Sequence, residues 1–369
     1  MDRFEIVIVG GGIAGASLGA EVAGERATLI LEAEPYPGIH STGRSAAFWL
    51  ESYGGAGVAP LSAASHPFLD RPPIEFSETG FLTRRGAIHV DRTGRTDAFA
   101  GIPASVETVA MSRAELEAAV PGLRACWVQG RFEPGCADID VAALHAAYLR
   151  QFRRRGGVVR SDARVVSAVR SGNEWRIALE SGEEVEAPLL VDAAGAWADT
   201  VAEAAGVAPL GIAPKRRTMV QLRVGQSGIA RLPQVIDAGG SFYFKGEGDR
   251  RVWISPHDEI ASGPCDAQPE EIDIAVAIDR FERAVDWPIE AVERSWAGLR
   301  SFAPDRLPVF GFDVVVPGFF WFAGQGGFGI QTAPAAAELA ASVLLAKALD
   351  PTVGARDAAR YSPARFNPR

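Results

Sequence analysis

A glycine-rich turn close to the start of the chain is the feature that most constrains its fold. Residues 4–9 form an apolar run typical of a buried strand, and it leads directly into Gly10, Gly12 and Gly15 with the spacing G-x-G-x-x-G. In such a turn the first glycine permits the tight bend, the second lets the backbone approach a pyrophosphate, and the third lets the helix pack on the sheet. The helix predicted over residues 13–24 would then present free N–H groups and its positive dipole end to phosphates.

An acidic residue completes this pattern. A second strand, predicted over residues 27–31, ends in Glu32, at the spacing where a carboxylate accepts hydrogen bonds from a ribose hydroxyl. The glycine motif alone is a weak signal. The combination of a preceding strand, a following helix and an acidic residue at this spacing is typical of a dinucleotide-binding βαβ unit. We therefore predict that the following residues bind a dinucleotide: Gly10, Gly12, Ile13, Ala14, Gly15, Glu32 and Ala33.

Composition narrows the class of protein. A chain of 369 residues can bury a large core and divide into two domains. Its net charge of −9 argues against nucleic acid as a partner. The three cysteines, Cys126, Cys136 and Cys265, have no metal-binding spacing and fit a reducing cytoplasm. Without a signal peptide before the first strand or a run of 18 apolar residues, we predict a cytoplasmic protein with no membrane span and no metal.

The order of the predicted elements indicates an α/β fold whose parallel sheet is interrupted by two strand-rich inserts. We assign residues 1–47, 138–210 and 299–369 to a Rossmann-like domain, and residues 48–137 and 211–298 to a second domain with a mixed or antiparallel sheet. The loop 38–53 is predicted to run into a short helix. Further predicted strands cover residues 74–91, 105–111, 158–159, 163–169, 175–179, 184–186, 189–192, 217–224, 235–244, 251–255, 293–302 and 319–323, and further helices 140–155, 270–284 and 333–349.

Five motifs, in this order and spacing, resemble those of the D-amino acid oxidase superfamily of FAD-dependent oxidoreductases. They are the glycine turn with Glu32, S-T-G-R-S-A-A at 41–47, D-A-A-G-A-W at 192–197, W-A-G-L-R at 296–300 and G-G-F-G-I-Q-T at 326–332. The superfamily includes glycine oxidase, sarcosine oxidase and D-amino acid dehydrogenases, and the chain most resembles the bacterial D-arginine dehydrogenases. The resemblance implies a two-domain fold, FAD, and two-electron oxidation of a C–N bond to an imine.

The resemblance also implies which residues contact FAD. Sarcosine oxidases hold their flavin through a cysteine near the position of Arg300, and segment 296–308 has no cysteine, so we expect noncovalent FAD. The helix after Gly326 and Gly327 is expected to point its N-terminus at the flavin pyrimidine edge. Besides the residues of the glycine turn, the expected contacts are Ser41, Thr42, Arg44, Ser45, Ala46, Ala47, Val165, Ala194, Gly195, Trp197, Gly298, Arg300, Gly326, Gly327, Gly329, Ile330, Gln331 and Thr332.

The histidines have less defined roles. His40 lies in the loop expected to contact the flavin and is a candidate cofactor contact. His66, His89, His145 and His257 are scattered along the chain, and we interpret them as structural. No side-chain base is required if the substrate amine binds in its neutral form.

Carboxylate binding in a dry site requires an arginine, because its planar fork matches the two oxygens. The resemblance indicates Arg300 first and Arg217 second, whereas Arg216 would face the other side of its strand. It also matches Tyr53 and Tyr243 to tyrosines whose hydroxyls could bond the carboxylate or the amine. A structural ion pair for Arg300, a solvated edge charge for Arg217 and ordinary packing for the tyrosines are the alternatives.

The predicted substrate pocket departs from the D-arginine dehydrogenases. Their acid for a cationic side chain corresponds to Ala87, and their histidine and threonine correspond to Phe48 and Leu50; Gly327 completes the pocket. A guanidinium buried there would lose its partner. The sequence therefore predicts a D-amino acid with an apolar side chain, and slow turnover of D-arginine and D-lysine.

The predicted reaction is hydride transfer from the α-carbon to flavin N5, followed by hydrolysis of the imino acid to a 2-oxo acid and ammonia. One alternative is oxidation of an N-alkyl glycine, as in sarcosine or glycine oxidases. Another is a flavin-binding protein that turns over no amine. The sequence leaves open whether oxygen, a quinone or another compound accepts the electrons, and it does not predict the oligomeric state.

Overall fold

The structure, a computed structural model, describes residues 2–348 and 358–366. The predicted α/β class is confirmed: within these residues the strands form four sheets and the helices pack on them. The helices and 3₁₀ turns cover Ile13–Val22, Ala59–Asp70, Arg113–Ala119, Val141–Arg154, Gly195–Trp197, Ala198–Ala204, Glu271–Ala284, Gly329–Leu344, Ala358–Tyr361 and Pro363–Phe366. No helix in the described ranges is long and apolar enough to cross a lipid bilayer.

A mainly parallel sheet, which we call the parallel sheet, carries the glycine turn. Its neighbouring strands, in spatial order, are Val158–Arg160, Thr28–Leu31, Ile6–Val9, Leu189–Asp192, Phe319–Ala323 and the antiparallel Val309–Phe312. Its central strands are buried on both faces, which explains their unbroken apolar runs. Ile6 and Ile8 pack against the helix layer, whereas Val7 and Val9 pack on the opposite face.

Helix Val141–Arg154 agrees with the prediction for residues 140–155 and covers this sheet. Asp140 caps it, accepting a hydrogen bond from the N–H of Ala143 at 2.9 Å, and Arg153 and Arg154 lie in its last turn. The acid at one end and the bases at the other both suit the helix dipole.

A second sheet, which we call the large sheet, supplies most of the other half of the molecule. In spatial order its strands are Gln325–Gly326, Ile289–Phe302, Ala213–Val224, Arg251–Ser255, Tyr243–Gly246, Gln234–Asp237, Ala87–Asp91, Gln129–Glu133 and Val109–Ser112, with Ile260–Ala261 paired to Ala213–Val224. Ile88, Val90 and Val235 pack on its helix-covered face with Arg113–Ala119 and Glu271–Ala284. Because side chains alternate along a strand, Ala87, His89 and Gln234 belong to the other face.

Two smaller sheets complete the description. One pairs Asp2–Arg3, Glu184–Ala187, Glu174–Leu179 and Val165–Ser171, and two of its strands, Glu174–Leu179 and Glu184–Ala187, form an antiparallel hairpin. The other pairs Phe48–Trp49, Ala137–Ile139 and Leu82–Arg84. The long strand Ile289–Phe302 crosses the proposed boundary at residue 299, and the domain boundaries stay a prediction.

Several predicted elements were wrong in extent. The predicted strand 74–91 is instead two short strands, Leu82–Arg84 and Ala87–Asp91, and residues 74–81 contain no strand. Residues 235–244 are split by a turn in which Gly240 has φ +76°. The loop after residue 38 runs into the short strand Phe48–Trp49 rather than a helix. The last long helix begins at Gly329, four residues before its predicted start, and its predicted end at residue 349 lies outside the described residues.

Candidate active site

A cleft of about 350 Å³ lies at the carboxyl ends of the parallel strands. Val9, Leu31 and Ala193 mark those strand ends in its wall. Gly10 has φ +103°, and a Cβ there would lie 2.6 Å from the carbonyl oxygen of Ala193. The turn therefore requires glycine at this position, as expected for a dinucleotide site.

Most of the predicted cofactor residues line this cleft. They are Gly10, Gly12, Ile13, Ala14, Glu32, Ala33, Ser41, Thr42, Arg44, Ser45, Ala46, Val165, Ala194, Gly195, Trp197, Gly298, Arg300, Gly326, Gly327, Gly329 and Ile330. The sequence did not indicate several other lining residues, among them Ala163, Thr200, Ala204, Met219 and Gln325.

Four predicted cofactor residues do not line the cleft. Gly15 is a packing glycine, since a Cβ there would overlap the carbonyl oxygen of Gly10. Ala47 turns away with φ 43°. Gln331 is buried and bonds the backbone of Leu50 and the Ser62 hydroxyl, and the Thr332 hydroxyl donates to Phe328 O within its own helix.

Glu32 is held by the backbone of its own turn. Its carboxylate accepts hydrogen bonds from the N–H of Gly11 at 2.8 Å and of Glu34 at 3.0 Å. Each carboxylate oxygen has further lone pairs. Glu32 can therefore organise the turn and still accept a bond from a ligand hydroxyl in the cleft.

Two helix N-termini face the cleft. The first helix has no side-chain cap at Gly12, and the Thr42 hydroxyl accepts the N–H of Ile13 at 3.0 Å. Helix Gly329–Leu344 also begins without a side-chain cap, and Gly329 and Ile330 lie in the wall. Uncapped helix starts attract negative charge, so an elongated anionic dinucleotide fits between them. None of the three cysteines lines this cleft.

His40 lines the same cleft beside Trp197. Its ring centroid lies 4.7 Å from that of the indole, and its Nε2 lies 3.0 Å from Oε1 of Glu34. His145 bonds the carbonyl oxygen of Gly11 through Nε2 at 2.8 Å, which supports the glycine turn from behind.

A second cavity, of about 290 Å³, meets the cleft at Arg300 and Tyr243, which line both. Arg300 Nη1 donates to the hydroxyl of Tyr53 at 2.8 Å, and its Nη2 to that of Tyr243 at 3.3 Å. The three residues come from separate parts of the chain. Their convergence places a guanidinium between two phenols where the cofactor cleft ends.

Arg217 lies beside this group and is only 4% exposed. Its Nε donates to the carbonyl oxygen of Asp258 at 2.6 Å, whereas Nη1 and Nη2 have no hydrogen-bond partner among the described residues. Nη2 lies 3.5 Å from Oε1 of Glu259, an ion pair without a hydrogen bond. Two buried NH₂ groups are thus available to hydrogen-bond a ligand.

The neighbouring Arg216 faces the opposite side of the strand, as expected. It pairs with Glu270 and, at 2.9 Å, with Asp273 of helix Glu271–Ala284. Its partners are protein carboxylates, so it contributes to structure rather than to the site.

The electrostatics of this region are dominated by the two arginines. Burial, and after it the charge of Arg300, lower the pKa of Arg217. Burial raises the pKa of Tyr243, but Arg300 and Arg217 outweigh it and the net pKa is below that of free tyrosine. Burial and the same arginines lower the pKa of His257 to about 4, so its ring is neutral at pH 7. An anionic group entering here would relieve the repulsion between the arginines.

Gly327 allows this arrangement. A Cβ there would overlap the hydroxyl oxygen of Tyr53 and lie 3.0 Å from Cζ of Arg300. Its predicted place in the pocket thus has a steric reason: the backbone approaches the arginine and the tyrosine more closely than a side chain permits.

The second cavity has mainly apolar walls and a polar far end. Phe48, Leu50, Phe99, Ile102 and Ile236 supply apolar wall, whereas Ser52, His89, Gln234, Asp237 and His257 are polar. Ala87 is fully buried behind Leu50 and does not line the cavity.

Sequence reasoning missed His89 and Gln234 as lining residues and interpreted His257 as structural. Alternation along strands Ala87–Asp91 and Gln234–Asp237 is the signal that could have found the first two. Ile88 and Val235 belong to the core face, so their neighbours in sequence point to the other face.

The chain was then compared with known proteins. Residues 5–343 match the DAO family of FAD-dependent oxidoreductases. The chain is 26% identical to glycine oxidase of Pseudomonas aeruginosa, covering 97% of this chain and 98% of that protein. It is 25% identical to FAD-dependent oxidoreductase domain-containing protein 1 of Xenopus laevis, covering 93% and 79%. It is 24% identical to human mitochondrial sarcosine dehydrogenase, covering 69% of this chain and 30% of that protein.

Solved structures agree with this assignment at the level of fold. Glycine oxidase from Geobacillus kaustophilus superimposes with a TM-score of 0.82 at 22% identity, over 99% of both chains. L-Proline dehydrogenase from P. horikoshii gives 0.83 at 20% identity, over 99% and 98%. The particular likeness to D-arginine dehydrogenases stays a prediction. The family match across nearly the whole chain shows that this protein belongs to the DAO family of FAD-dependent oxidoreductases, which act on amine and amino acid substrates.

Proposed function

We propose that the protein oxidises a D-amino acid with an uncharged, mainly apolar side chain to the imino acid, which water hydrolyses to a 2-oxo acid and ammonia. One observation carries the proposal. Arg217 presents two buried Nη atoms that make no hydrogen bond within the described residues, beside Arg300, where the cofactor cleft meets a largely apolar cavity.

The α-carboxylate is the group that suits these arginines. A carboxylate accepts paired hydrogen bonds from guanidinium groups and offsets two buried positive charges. The hydroxyls of Tyr53 and Tyr243, already held by Arg300, orient it further. In this position the carboxylate brings the α-carbon and the amine to the end of the cofactor cleft.

FAD, when bound, accepts the hydride of the α-carbon. The chain holds and orients the substrate through the two arginines and the two tyrosines. His257 donates through Nδ1 to the carbonyl oxygen of Gly240 at 2.8 Å, and its pKa of about 4 makes it a weak base. We therefore propose that the amine binds in its neutral form and that no side chain removes a proton.

The side-chain cavity supports an uncharged substrate. Its acid, Asp237, already accepts hydrogen bonds from the N–H of Gly239 and from the N–H and hydroxyl of Ser241. These three donors already use much of the carboxylate's hydrogen-bonding capacity, so it can pair only in part with a guanidinium or ammonium, and D-arginine and D-lysine should be poor substrates. The D configuration rests on the resemblance of the five motifs.

We also propose that FAD is bound without a covalent link, since no cysteine lines the cleft. The sparse cysteines of the sequence support a reducing cytoplasm as the location. Acid precipitation of the purified protein tests the first statement and should release all of the yellow colour. Fractionation of cells tests the second and should recover the protein with the cytoplasm.

A second candidate function is oxidation of an N-alkyl glycine. The glycine oxidase and sarcosine dehydrogenase relatives support it. Such a substrate would use the same arginines. Its small size would leave most of the 290 Å³ cavity without contacts, which is why we rank it second.

Anaerobic bleaching of the bound flavin tests the two functions together. The panel is D- and L-leucine, D- and L-phenylalanine, D-arginine, glycine and sarcosine. Bleaching by D-leucine or D-phenylalanine, faster than by the L forms or D-arginine, supports the proposal. Bleaching by sarcosine or glycine alone supports the second candidate, and no bleaching contradicts both.

The variant Arg217→Met tests the proposed role of this arginine in binding the carboxylate. It should raise KM for the best substrate about 100-fold, because a buried carboxylate loses charged partners. Arg216→Met removes the adjacent arginine, which faces away, and should leave KM unchanged. Equal effects of the two variants would argue that Arg217 acts through stability alone.

A further inference from the structure

The far end of the substrate cavity contains a buried amide with an unused polar atom. Gln234 is fully buried and lines the cavity, and its Nε2 has no hydrogen-bond partner among the described residues. A buried amide N–H₂ without a partner costs free energy. A ligand that accepts its hydrogen bond would remove that cost.

The orientation of this amide follows from its neighbour. The thiol of Cys136 lies 3.8 Å from Oε1 of Gln234, and burial raises the pKa of the thiol, which therefore stays protonated and donates. In this arrangement the thiol occupies the amide oxygen. The nitrogen is consequently the atom that remains available as a donor.

His89 supplies a complementary group in the same cavity. Its Nε2 lies 2.9 Å from Oε2 of Glu133, a carboxylate that also accepts the N–H and the hydroxyl of Ser52 at 3.2 and 2.7 Å. Because a carboxylate only accepts, the histidine donates through Nε2. Nδ1 is then the ring nitrogen left for a ligand, since the hydrogen bonds of the described residues use only Nε2.

The strand register explains why these two groups meet. Gln234 pairs with Ala87, and Ile236 pairs with His89, in adjacent parallel strands of the large sheet. The side chains of these four residues therefore lie on the same face of the sheet. Ala87 pairs with Gln234 on one side and with Glu133 on the other, and His89 follows it on the same strand face. The alanine at this position leaves room for both polar groups.

We propose that this end of the cavity recognises a neutral hydrogen-bonding group, a carboxamide or a hydroxyl, at the tip of the substrate's side chain. The Gln234 Nε2 donates to its oxygen, and the His89 Nδ1 makes a second hydrogen bond to the same group, which contains both a donor and an acceptor. A cation would face the Gln234 donor, and the acid in the wall, Asp237, already accepts three hydrogen bonds. An anion would lie near Glu133, whose negative charge is unfavourable to it.

This inference rests on the proposed function and sharpens its substrate class. The side chain would cross apolar walls formed by residues such as Phe48 and Ile236 before reaching the polar end. The side chains of glutamine and tyrosine are apolar along their length and polar at the tip, whereas those of methionine and phenylalanine are similar in size but lack the polar tip.

Matched substrate pairs test the inference without any mutation. Bleaching rates and steady-state kcat/KM are measured for D-glutamine against D-methionine and for D-tyrosine against D-phenylalanine, with the L forms alongside. We expect the polar member of at least one pair to be preferred about tenfold, the size of one good hydrogen bond. Equal or better turnover of the apolar member in both pairs overturns the inference but leaves the proposed function intact. No bleaching by any amino acid contradicts the proposed function itself.

Gln234→Leu then assigns the preference to the amide. The ratio of kcat/KM for D-glutamine to that for D-methionine should fall about tenfold through KM, while the flavin content stays full. Gln221→Leu is the control: it removes an amide of the same sheet that bonds Glu293 and Trp253 and does not line the cavity. His89→Leu should lower the same ratio if the variant retains flavin. A ratio unchanged in Gln234→Leu overturns the role of the amide.

Discussion

The proposed cofactor cleft and the proposed substrate cavity meet at Arg300 but are built in different ways. The cleft is made by the backbone at strand ends: glycines, helix starts and carbonyl groups within a few short motifs. The cavity is made by side chains on one face of the large sheet, which come from strands far apart in sequence. A backbone site depends on where side chains are absent, whereas a side-chain site depends on which ones are present.

The cleft should therefore fail when a side chain is added. Gly15→Ala is expected to have the largest effect, because its Cβ would overlap the carbonyl oxygen of Gly10 in a fully packed turn. We expect loss of bound FAD and destabilisation of about 3 kcal/mol or more. Flavin absorbance per protein and urea unfolding measure both.

Gly263→Ala is the matched control for that change. A Cβ at Gly263 would meet no atom within 4 Å, and its φ is outside the left-handed region. It should keep its flavin and its stability within about 0.5 kcal/mol. If Gly15→Ala also kept both, the turn would be looser than its contacts indicate.

The cavity should instead fail when a side chain is altered. Arg300→Lys keeps the charge but loses the planar fork that reaches Tyr53 and Tyr243 together. We expect full FAD content and a loss of about 10²-fold in kcat/KM, equivalent to about 3 kcal/mol, in steady-state assays. Arg294→Lys, on the same strand but outside both cavities, should behave like the unmodified protein. Loss of FAD in Arg300→Lys would contradict this division between the two regions.

The same contrast explains what could be predicted from sequence. Gly10, Glu32 and Gly327 could be predicted because backbone requirements leave fixed residues at fixed spacings, and all three lie in the wall of the cleft, although their contacts with FAD stay predictions. His89 and Gln234 were missed because nothing local marks them: their significance comes from a parallel strand pairing across about 145 residues of sequence. Ala87 was identified as the position of a missing acid, but its neighbours across the sheet, Glu133 and Gln234, could be found only from the register.

Helix boundaries show a related effect. The last long helix was predicted to begin at residue 333, yet residues 329–332 already form its first turn. Local propensity disfavours glycine there, but tertiary packing of Gln331 and Thr332, both buried, outweighs it. Gln331 and Thr332 thus hold the helix in place instead of lining the cofactor cleft.

Gly327 lies where the two regions touch, so it tests whether they are separable. Gly327→Ala would push against the Tyr53 hydroxyl and Arg300, and should reduce kcat/KM about 10- to 50-fold, or about 1.4–2.3 kcal/mol. The double variant with Tyr53→Phe removes the overlapping oxygen and should recover part of the loss relative to Gly327→Ala. Additive losses in the double-mutant cycle would show that the two residues act independently.

His257 gives the smallest expected effect, and it concerns stability rather than turnover. The ring faces Arg217, Arg300, Glu259, the Tyr243 ring and the carbonyl oxygen of Gly240, and its folded-state pKa is about 4 against an ordinary value of 6.5. Between these values the unfolded chain binds more protons, so the free energy of unfolding falls as the pH decreases through this window. The penalty at pH 5 should be about 1–2 kcal/mol, reduced from the full value because the ring is partly exposed.

His257→Asn removes this group and should therefore lose less stability than the unmodified protein between pH 7 and pH 5. Urea unfolding at the two pH values measures the difference, and His66→Asn, at a histidine outside both cavities, provides the control. A larger acid loss in the His257 variant than in the unmodified protein would mean that the ring is charged in the folded state. In that case three positive charges, those of His257, Arg217 and Arg300, would lie side by side. A bound anion would be needed to balance them, and the site proposed for the carboxylate would then extend into the substrate cavity.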